Sequence, residues 1–116
     1  MSILGIDIGG TKTTVGVADR YGKLLLDKTI LTPNVLGPDL NIGMIIPAVH
    51  EIILKQGDRV TAIGIGCGGP LDRKTGTLHR VSNLPGWEGL CLTDIFSKEC
   101  CAPAYLDNDA TAAAMG

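Results

Sequence analysis

Residues 3–18 read Ile3-Leu4-Gly5-Ile6-Asp7-Ile8-Gly9-Gly10-Thr11-Lys12-Thr13-Thr14-Val15-Gly16-Val17-Ala18. Two runs of β-forming residues flank the glycine pair, so the stretch predicts a β-hairpin with Gly9 and Gly10 at its tip. Glycine leaves room for backbone N–H groups to turn toward an anion, and Thr11 adds a hydroxyl donor. The stretch therefore predicts either a plain hairpin turn or a loop that binds phosphate.

Two better-known glycine motifs fit this chain poorly. Residues 5–13 depart by one position from the phosphate loop of nucleoside triphosphatases, in which lysine directly follows the second glycine and the loop opens a helix. Gly64, Gly66 and Gly69 have the spacing of a dinucleotide-binding turn. Residues 70–76, however, predict another turn where that site needs a helix.

The composition favours a single aliphatic α/β domain. The 116 residues are 45% hydrophobic, which is enough apolar content for one core. Only 3% of them are aromatic and 16 are glycines, which favours aliphatic packing and tight backbone turns. The formal charge is −2 and the basic residues are dispersed, so we expect no nucleic-acid partner. Because no apolar run approaches the roughly 18 residues of a membrane span and no signal peptide begins the chain, we expect no membrane partner and a cytoplasmic location.

The cysteines favour free thiols over a metal site. None of the four belongs to a C-x-x-C pair, and both histidines are distant from them in sequence. Without a secretory signal we expect all four thiols to be reduced. The cysteines are Cys67, Cys91, Cys100 and Cys101.

Turn residues divide the first part of the chain into three predicted strands. Residues 3–8, 12–19 and 23–32 carry β-forming side chains, and residues 19–22 read as a tight turn. The sheet should therefore begin as an antiparallel meander. A looser stretch over residues 32–39 should follow it.

One helix and one buried strand are predicted next. Apolar residues recur at helical spacing from Ile42 to Ile53, and Gly57 ends the pattern. Pro47 should either kink this helix or mark its start. Residues 59–67 form a continuous apolar run, which suits a buried parallel strand reached through the helix.

The remainder of the chain is less regular. Residues 68–87 are rich in glycine, proline, asparagine and serine, and long irregular stretches often carry function. Within them, residues 72–76 suit the tip of a short hairpin. We expect Thr93 or Asp94 to cap a short helix, and residues 102–106 to form a short strand.

Four stretches, in this order, resemble the N-terminal part of the ROK family, which contains bacterial-type sugar kinases and sugar-responsive repressors. Each stretch alone is a modest signal, but their common order and spacing make the resemblance specific. It runs almost from end to end of the chain. The stretches are 5–12, 64–72, 82–87 and 106–116.

The resemblance implies both a fold and an activity. The fold is α/β of the ribonuclease-H-like type, the ATPase lobe of the actin, hexokinase and heat-shock-70 superfamily, with an antiparallel meander, parallel strands and flanking helices. Residues 1–116 would be the N-terminal lobe of an ATP-dependent kinase for a hexose or an N-acetylhexosamine. The C-terminal lobe, which carries the family's zinc motif and adenosine pocket, would be absent from this chain.

The resemblance also assigns roles to the first loop. Gly9, Gly10 and Thr11 would contact the β- and γ-phosphates of ATP, and Asp7 would hold Mg²⁺ through water, which suits an ion that keeps most of its waters. Lys12 matches the family motif as a further phosphate contact. At a hairpin tip it is equally well explained as a solvated charge.

By the same resemblance, Asp109 is the general base that takes the proton of the attacking sugar hydroxyl, and Asn108 hydrogen-bonds a sugar hydroxyl. From the residues alone, Asp107 or Asp109 reads as the N-cap of a helix expected from Ala110 to Met115. The two roles are compatible. A helix N-terminus keeps a carboxylate ionised, which is the state that a base needs.

The resemblance assigns further sugar contacts to the irregular stretch. Gly69 would contact the sugar through its backbone, and Ser82 and Asn83 would do so through their side chains. Loop structure alone also explains these three residues, and Trp87 is better explained as a loop anchor than as a sugar-stacking platform. Gly68 departs from the many members that have proline there, which leaves the sugar preference open.

The absence of the second lobe gives expectations for the chain by itself. It should be inactive and prone to self-association, because apolar surface would be uncovered and the donor pocket would be missing. The parent protein should be a homo-oligomer whose partner is a small-molecule sugar. Two alternatives stay open, namely a sugar-responsive transcriptional regulator with a preceding helix-turn-helix and a sugar-binding remnant without catalysis.

Overall fold

The computed structural model describes residues 1–68, 71–79 and 84–110. Its strands are β1 (Ser2–Ile8), β2 (Lys12–Asp19), β3 (Leu24–Leu31), β4 (Val60–Cys67), β5 (Leu71–Asp72), β6 (Thr77–Leu78) and β7 (Ala104–Asp107). Five of these strands form one sheet in the order β3-β2-β1-β4-β7, and β5 pairs with β6 in a separate hairpin. In the sheet, β1 to β3 are antiparallel neighbours, whereas β4 and β7 run parallel to β1. This mixed sheet confirms the predicted fold class.

The antiparallel meander lies where the sequence predicts it, within one residue at each strand end. In β1 the side chains of Leu4, Ile6 and Ile8 are buried, while Asp7 between the last two is exposed. Side chains of successive strand residues point to opposite faces of a sheet. The sequence pattern of β1 therefore determines which face joins the core and which face presents Asp7.

Helix α1 spans Gly37–Gln56 and ends, as predicted, at Gly57, which has a left-handed φ of 76°. It begins earlier than predicted, because Pro38 suits the first turn of a helix, where no N–H partner is required. Pro47 lies inside the helix and does not mark its start. Pro47 is exposed, so the carbonyl group that loses its hydrogen-bond partner can face water.

Helix α2 spans Leu92–Cys100, and the predicted cap at Thr93 or Asp94 is wrong. Cys91 is the N-cap, and its side chain makes no capping hydrogen bond. Instead, the first helical N–H donates to the backbone carbonyl of Gly76 at 2.9 Å. A hydrogen bond to a distant part of the chain thus satisfies the first N–H of the helix, where a capping side chain was expected.

The buried side chains of both helices join one core with those of β1, so the two helices pack on the same side of the sheet. Helix α1 contacts β2 and β3, helix α2 contacts β4 and β7, and neither helix of the described part is long and apolar enough to cross a membrane. On the other side, Gly16, Gly5 and Gly64 are direct neighbours across β2, β1 and β4. We call this surface the glycine face. Without side chains in this row, another segment can approach the strands closely.

The hairpin of β5 and β6 lies beside β7, and its tip falls at the predicted residues. The carboxylate of Asp72 accepts the backbone N–H groups of Lys74 and Thr75 at 2.9 and 3.3 Å. Gly76 completes the turn with a φ of 70°. These contacts give the tip a defined shape without help from the rest of the sheet.

Candidate active site at the carboxyl edge of the sheet

The carboxyl ends of the parallel strands β1, β4 and β7 meet at one edge of the sheet. There Asp7, Gly66 and Asp107 are direct neighbours across the three strands. We call residues 9–12, after β1, the glycine loop, and residues 107–110, at the end of β7, the acidic turn. Open α/β sheets bind ligands in the crevice outside the carboxyl ends of their strands. The fold thus brings the two stretches with the strongest functional predictions to one edge.

Main-chain hydrogen bonds close the glycine loop. The N–H of Gly9 donates to the carbonyl of Lys12 at 3.0 Å. A Cβ atom on Gly9 would lie only 2.9 Å from that carbonyl oxygen. Only glycine fits this position without opening the loop.

The chain that follows β3 supports the loop. The backbone N–H groups of Thr32 and Asn34 donate to two loop carbonyls, each at 2.9 Å. Beneath them the buried hydroxyls of Thr13 and Thr32 lie 2.8 Å apart, and the buried amide of Asn41 donates to the carbonyl of Pro33 at 3.0 Å. These residues were not predicted from the sequence, because no local pattern shows that polar side chains from β2 and α1 meet there.

The side chains that the resemblance assigns to ATP and Mg²⁺ are available to a ligand. Asp7, Thr11 and Lys12 are exposed, and Gly10 is half-buried. Gly9 uses its own N–H within the loop, so its contribution is the shape of the loop. The loop therefore offers one carboxylate, one hydroxyl and one ammonium group beside a tight backbone turn.

Side chains hold the acidic turn. The Nδ2 of Asn108 donates to the carbonyl of Cys67, at the end of β4, at 3.1 Å. The Oδ1 of Asp107 accepts from the Nη2 of Arg73 at 2.9 Å and from the backbone N–H of Asn108 at 2.7 Å. The Arg73 guanidinium, followed by that N–H, holds the pKa of the Asp107 carboxyl below its usual value.

A missing side chain lets the acidic turn pack against β4. A Cβ atom on Gly66 would lie 2.5 Å from the backbone nitrogen of Ala110 and 3.1 Å from its Cα. Ala110 and Asp7 both line a cavity of about 180 Å³ on the glycine face. Asp109, one residue earlier, is exposed at the same edge.

Three of the predicted sugar contacts, Gly69, Ser82 and Asn83, lie outside the described residues. Trp87, which follows them, has a fully buried side chain, as expected of a loop anchor. Of the predicted sugar contacts, Asn108 alone belongs to the described part of the chain. Of the predicted site, the structure thus brings the ATP residues, the proposed base and one sugar contact to the same edge of the sheet.

The four cysteines are free thiols, as predicted. Burial, and then the charge of Asp7, raises the pKa of the Cys67 thiol to about 11, so this thiol stays protonated at neutral pH. Across residues 1–68, 71–79 and 84–110, no three His, Cys, Asp or Glu side chains gather where they could hold a metal ion.

The fold and the site define a domain of the actin- and hexokinase-like class. More narrowly, the chain belongs to the ROK family, whose family model matches residues 3–116.

Similar proteins agree with this membership. The glucokinase of Thermotoga maritima is 32% identical over 116 residues, which cover 100% of this chain and 36% of that protein. The N-acetyl-D-glucosamine kinase of Salmonella paratyphi A is 32% identical over 114 residues, which cover 96% of this chain and 36% of that protein. The ROK family glucokinase from Streptomyces griseus, in complex with glucose and AMPPNP, matches with a TM-score of 0.80 and 30% identity over 93% of this chain and 33% of that chain. The chain spans about a third of the length of these relatives.

Proposed function

We propose that the protein carrying this chain is an ATP-dependent sugar kinase and that residues 1–116 are its N-terminal lobe. The observation that carries the proposal is the row of Asp7, Gly66 and Asp107, which joins the glycine loop and the acidic turn at one edge of the sheet. Relatives that are named glucokinase and N-acetyl-D-glucosamine kinase support a hexose or an N-acetylhexosamine as the acceptor.

Asp109 is assigned as the general base. Its carboxylate is exposed at the edge, where it would accept the proton of the sugar hydroxyl. The hydroxyl oxygen then bonds to the γ-phosphorus while the bond from that phosphorus to the β-phosphate oxygen breaks. Packing of Ala110 on Gly66 and the hydrogen bond from Asn108 to Cys67 hold the chain on both sides of the base. Such positioning is a large part of catalysis in phosphoryl transfer.

Asn108 has two parts in this proposal. Its Nδ2 fixes the acidic turn through the carbonyl of Cys67, and its side chain would also meet a sugar hydroxyl. Gly69, Ser82 and Asn83 would complete the sugar site. Their assignment rests on the family resemblance.

The residues of the glycine loop fit a nucleotide with Mg²⁺. The closed shape of the loop requires Gly9, and Asp7, Thr11 and Lys12 are exposed beside it. No three-ligand metal cluster occurs among the described residues, which suits an ion held by Asp7 through water and by phosphate oxygens. When bound, ATP supplies the γ-phosphoryl group and Mg²⁺ neutralises charge on the phosphate oxygens. Gly10, Thr11 and Lys12 would orient the phosphates.

The test is a chimera in which residues 1–116 replace the matching part of the Thermotoga maritima glucokinase. ADP release is measured with ATP, Mg²⁺ and a panel of hexoses and N-acetylhexosamines. We expect turnover with at least one sugar. The matched control is the same chimera with Asp109→Asn, which should be folded and turn over more slowly by about 10²-fold or more. A folded chimera without turnover, or equal turnover in the control, would contradict the proposal.

A further inference from the structure

We propose that Arg73 is a positioning residue that couples the β5–β6 hairpin to the acidic turn, and so helps to hold Asp109, the proposed base, in place. The inference rests on the proposed function and deepens it. Neither the composition nor the motif spacing drew attention to Arg73. The structure joins it to Asp107, which is 34 residues away in the chain and two residues before Asp109.

The contact between Arg73 and Asp107 is specific. The Nη2 of Arg73 donates to the Oδ1 of Asp107 at 2.9 Å, and the same oxygen accepts the backbone N–H of Asn108 at 2.7 Å. A charge-assisted bond and a bond within the acidic turn therefore converge on one atom. The side chain of Asp107 is 27% exposed and that of Arg73 is 62% exposed, so the acid is the more sheltered partner.

The hairpin that carries Arg73 is itself held in place from the other side. The carbonyl of Gly76 accepts the first N–H of α2 at 2.9 Å, and the Sγ of Cys91 donates to the carbonyl of Thr75 at 3.1 Å. A Cβ atom on Gly76 would lie 2.0 Å from the Oγ1 of Thr93, so the backbone packs closely on α2. The hairpin that presents Arg73 to Asp107 is thus anchored on α2.

The position of Asp107 gives this ion pair its consequence. Asp107 lies two residues before Asp109 and is the direct neighbour of Gly66 across β4 and β7. The ion pair therefore joins the hairpin to the turn that carries the proposed base. Loss of the pair should change the alignment of base and sugar more than it changes stability, because exposed ion pairs contribute little to folding.

A double-mutant cycle on the full-length protein tests the coupling, with Arg73→Gln, Asp107→Asn and the double variant. We expect Arg73→Gln to lower kcat with the sugar by about fivefold, as small misalignments of reacting groups do, while the KM for ATP and the melting temperature stay unchanged. The double variant should be no slower than Asp107→Asn alone. Arg73→Lys should recover part of the lost kcat. Because salt screens exposed charges, 1 M salt should lower the kcat of the wild-type protein toward that of Arg73→Gln.

Lys74→Gln is the matched control, because Lys74 is also exposed on the hairpin tip. An equal loss in this control, or additive losses in the cycle, would overturn the proposal. Absence of sugar phosphorylation by the wild-type protein would instead refute the proposed function. In that case amide hydrogen exchange decides the coupling: Arg73→Gln should lower protection in residues 71–79 and in residues 104–108 together. Unchanged protection in either segment would then overturn it.

Discussion

The glycine loop and the acidic turn lie at the same edge of the sheet but are built differently. Backbone groups close the loop, through the hydrogen bond from Gly9 to Lys12 and through the support from the chain after β3. Side chains tie the turn to the rest of the fold, namely Arg73 from the hairpin and the turn's own Asn108, which bonds back to β4. The loop is therefore held mainly by main-chain hydrogen bonds, whereas the turn is held to the rest of the fold by side-chain contacts.

This difference suits the two proposed roles. A phosphate chain needs a concave backbone, which a short stretch with glycines provides. A general base needs one carboxylate at a defined distance from a hydroxyl, and that distance depends on several elements together. Substitutions in the loop should accordingly weaken the binding of ATP, while substitutions around the turn should lower kcat.

The largest expected effect tests the turn itself. In the full-length protein, Asp109→Asn should lower kcat by about 10²-fold or more with little change in sugar affinity, because asparagine cannot accept the hydroxyl proton. The fold should survive, since asparagine and aspartate cap helices about equally well. Steady-state kinetics and sugar titration measure both quantities. A kcat within about threefold of the wild-type value would remove Asp109 from catalysis.

The next effect tests whether the turn depends on close packing against β4. Gly66→Ala places a methyl group 2.5 Å from the backbone nitrogen of Ala110. It should lower kcat by about tenfold and cost about 1–3 kcal/mol of unfolding free energy. Gly68→Ala is the control, because a Cβ atom there meets no atom of the described residues within 4 Å. Kinetics and denaturant unfolding should separate the two variants, and equal behaviour would contradict the packing argument.

A third effect tests the loop. Gly9→Ala would bring a methyl group 2.9 Å from the carbonyl oxygen of Lys12 and open the turn. ATP should bind about tenfold more weakly, the cost of about one charge-assisted hydrogen bond, while the KM for the sugar stays the same. Gly43→Ala in α1 is the control, because no neighbour in the part of the chain that the structure describes comes within 4 Å of its Cβ position. An equal change in both Michaelis constants would show that the two regions are not independent.

The smallest effect concerns the pKa of Asp107. Arg73 lowers it, so Arg73→Gln should raise it toward the usual value, and Lys74→Gln should leave it unchanged. Because the pKa of Asp107 is lower in the folded state, the ionised carboxylate stabilises the fold at pH values above its unfolded-state pKa. This stabilisation is lost as the pH falls through the folded-state pKa. An NMR titration of the carboxyl carbons measures the change. Identical titration curves for wild type and Arg73→Gln would contradict the ion pair in solution.

The local elements were largely predictable from the sequence. The hairpin around Gly9, the meander, the buried strand β4 and the helix end at Gly57 all rest on short-range patterns, and the structure has them within a residue or two. The errors lie at helix starts. Helix α1 begins at Gly37 and not after a loose stretch, and the first turn of α2 bonds to Gly76 and not to a side-chain cap. Where a helix begins depends on which groups can satisfy its first N–H groups, and at α2 that partner is distant in sequence.

The sequence by itself determined the fold class, the family and the candidate residues of the loop and the turn. Only the tertiary structure decided that Asp7, Gly66 and Asp107 form one row, that Ala110 fills the space beside Gly66, and that Arg73 reaches Asp107. Periodicity and turn chemistry are properties of neighbouring residues, so they can be read along the chain. Strand register and ion pairs between distant segments arise only when the sheet assembles and brings those segments together.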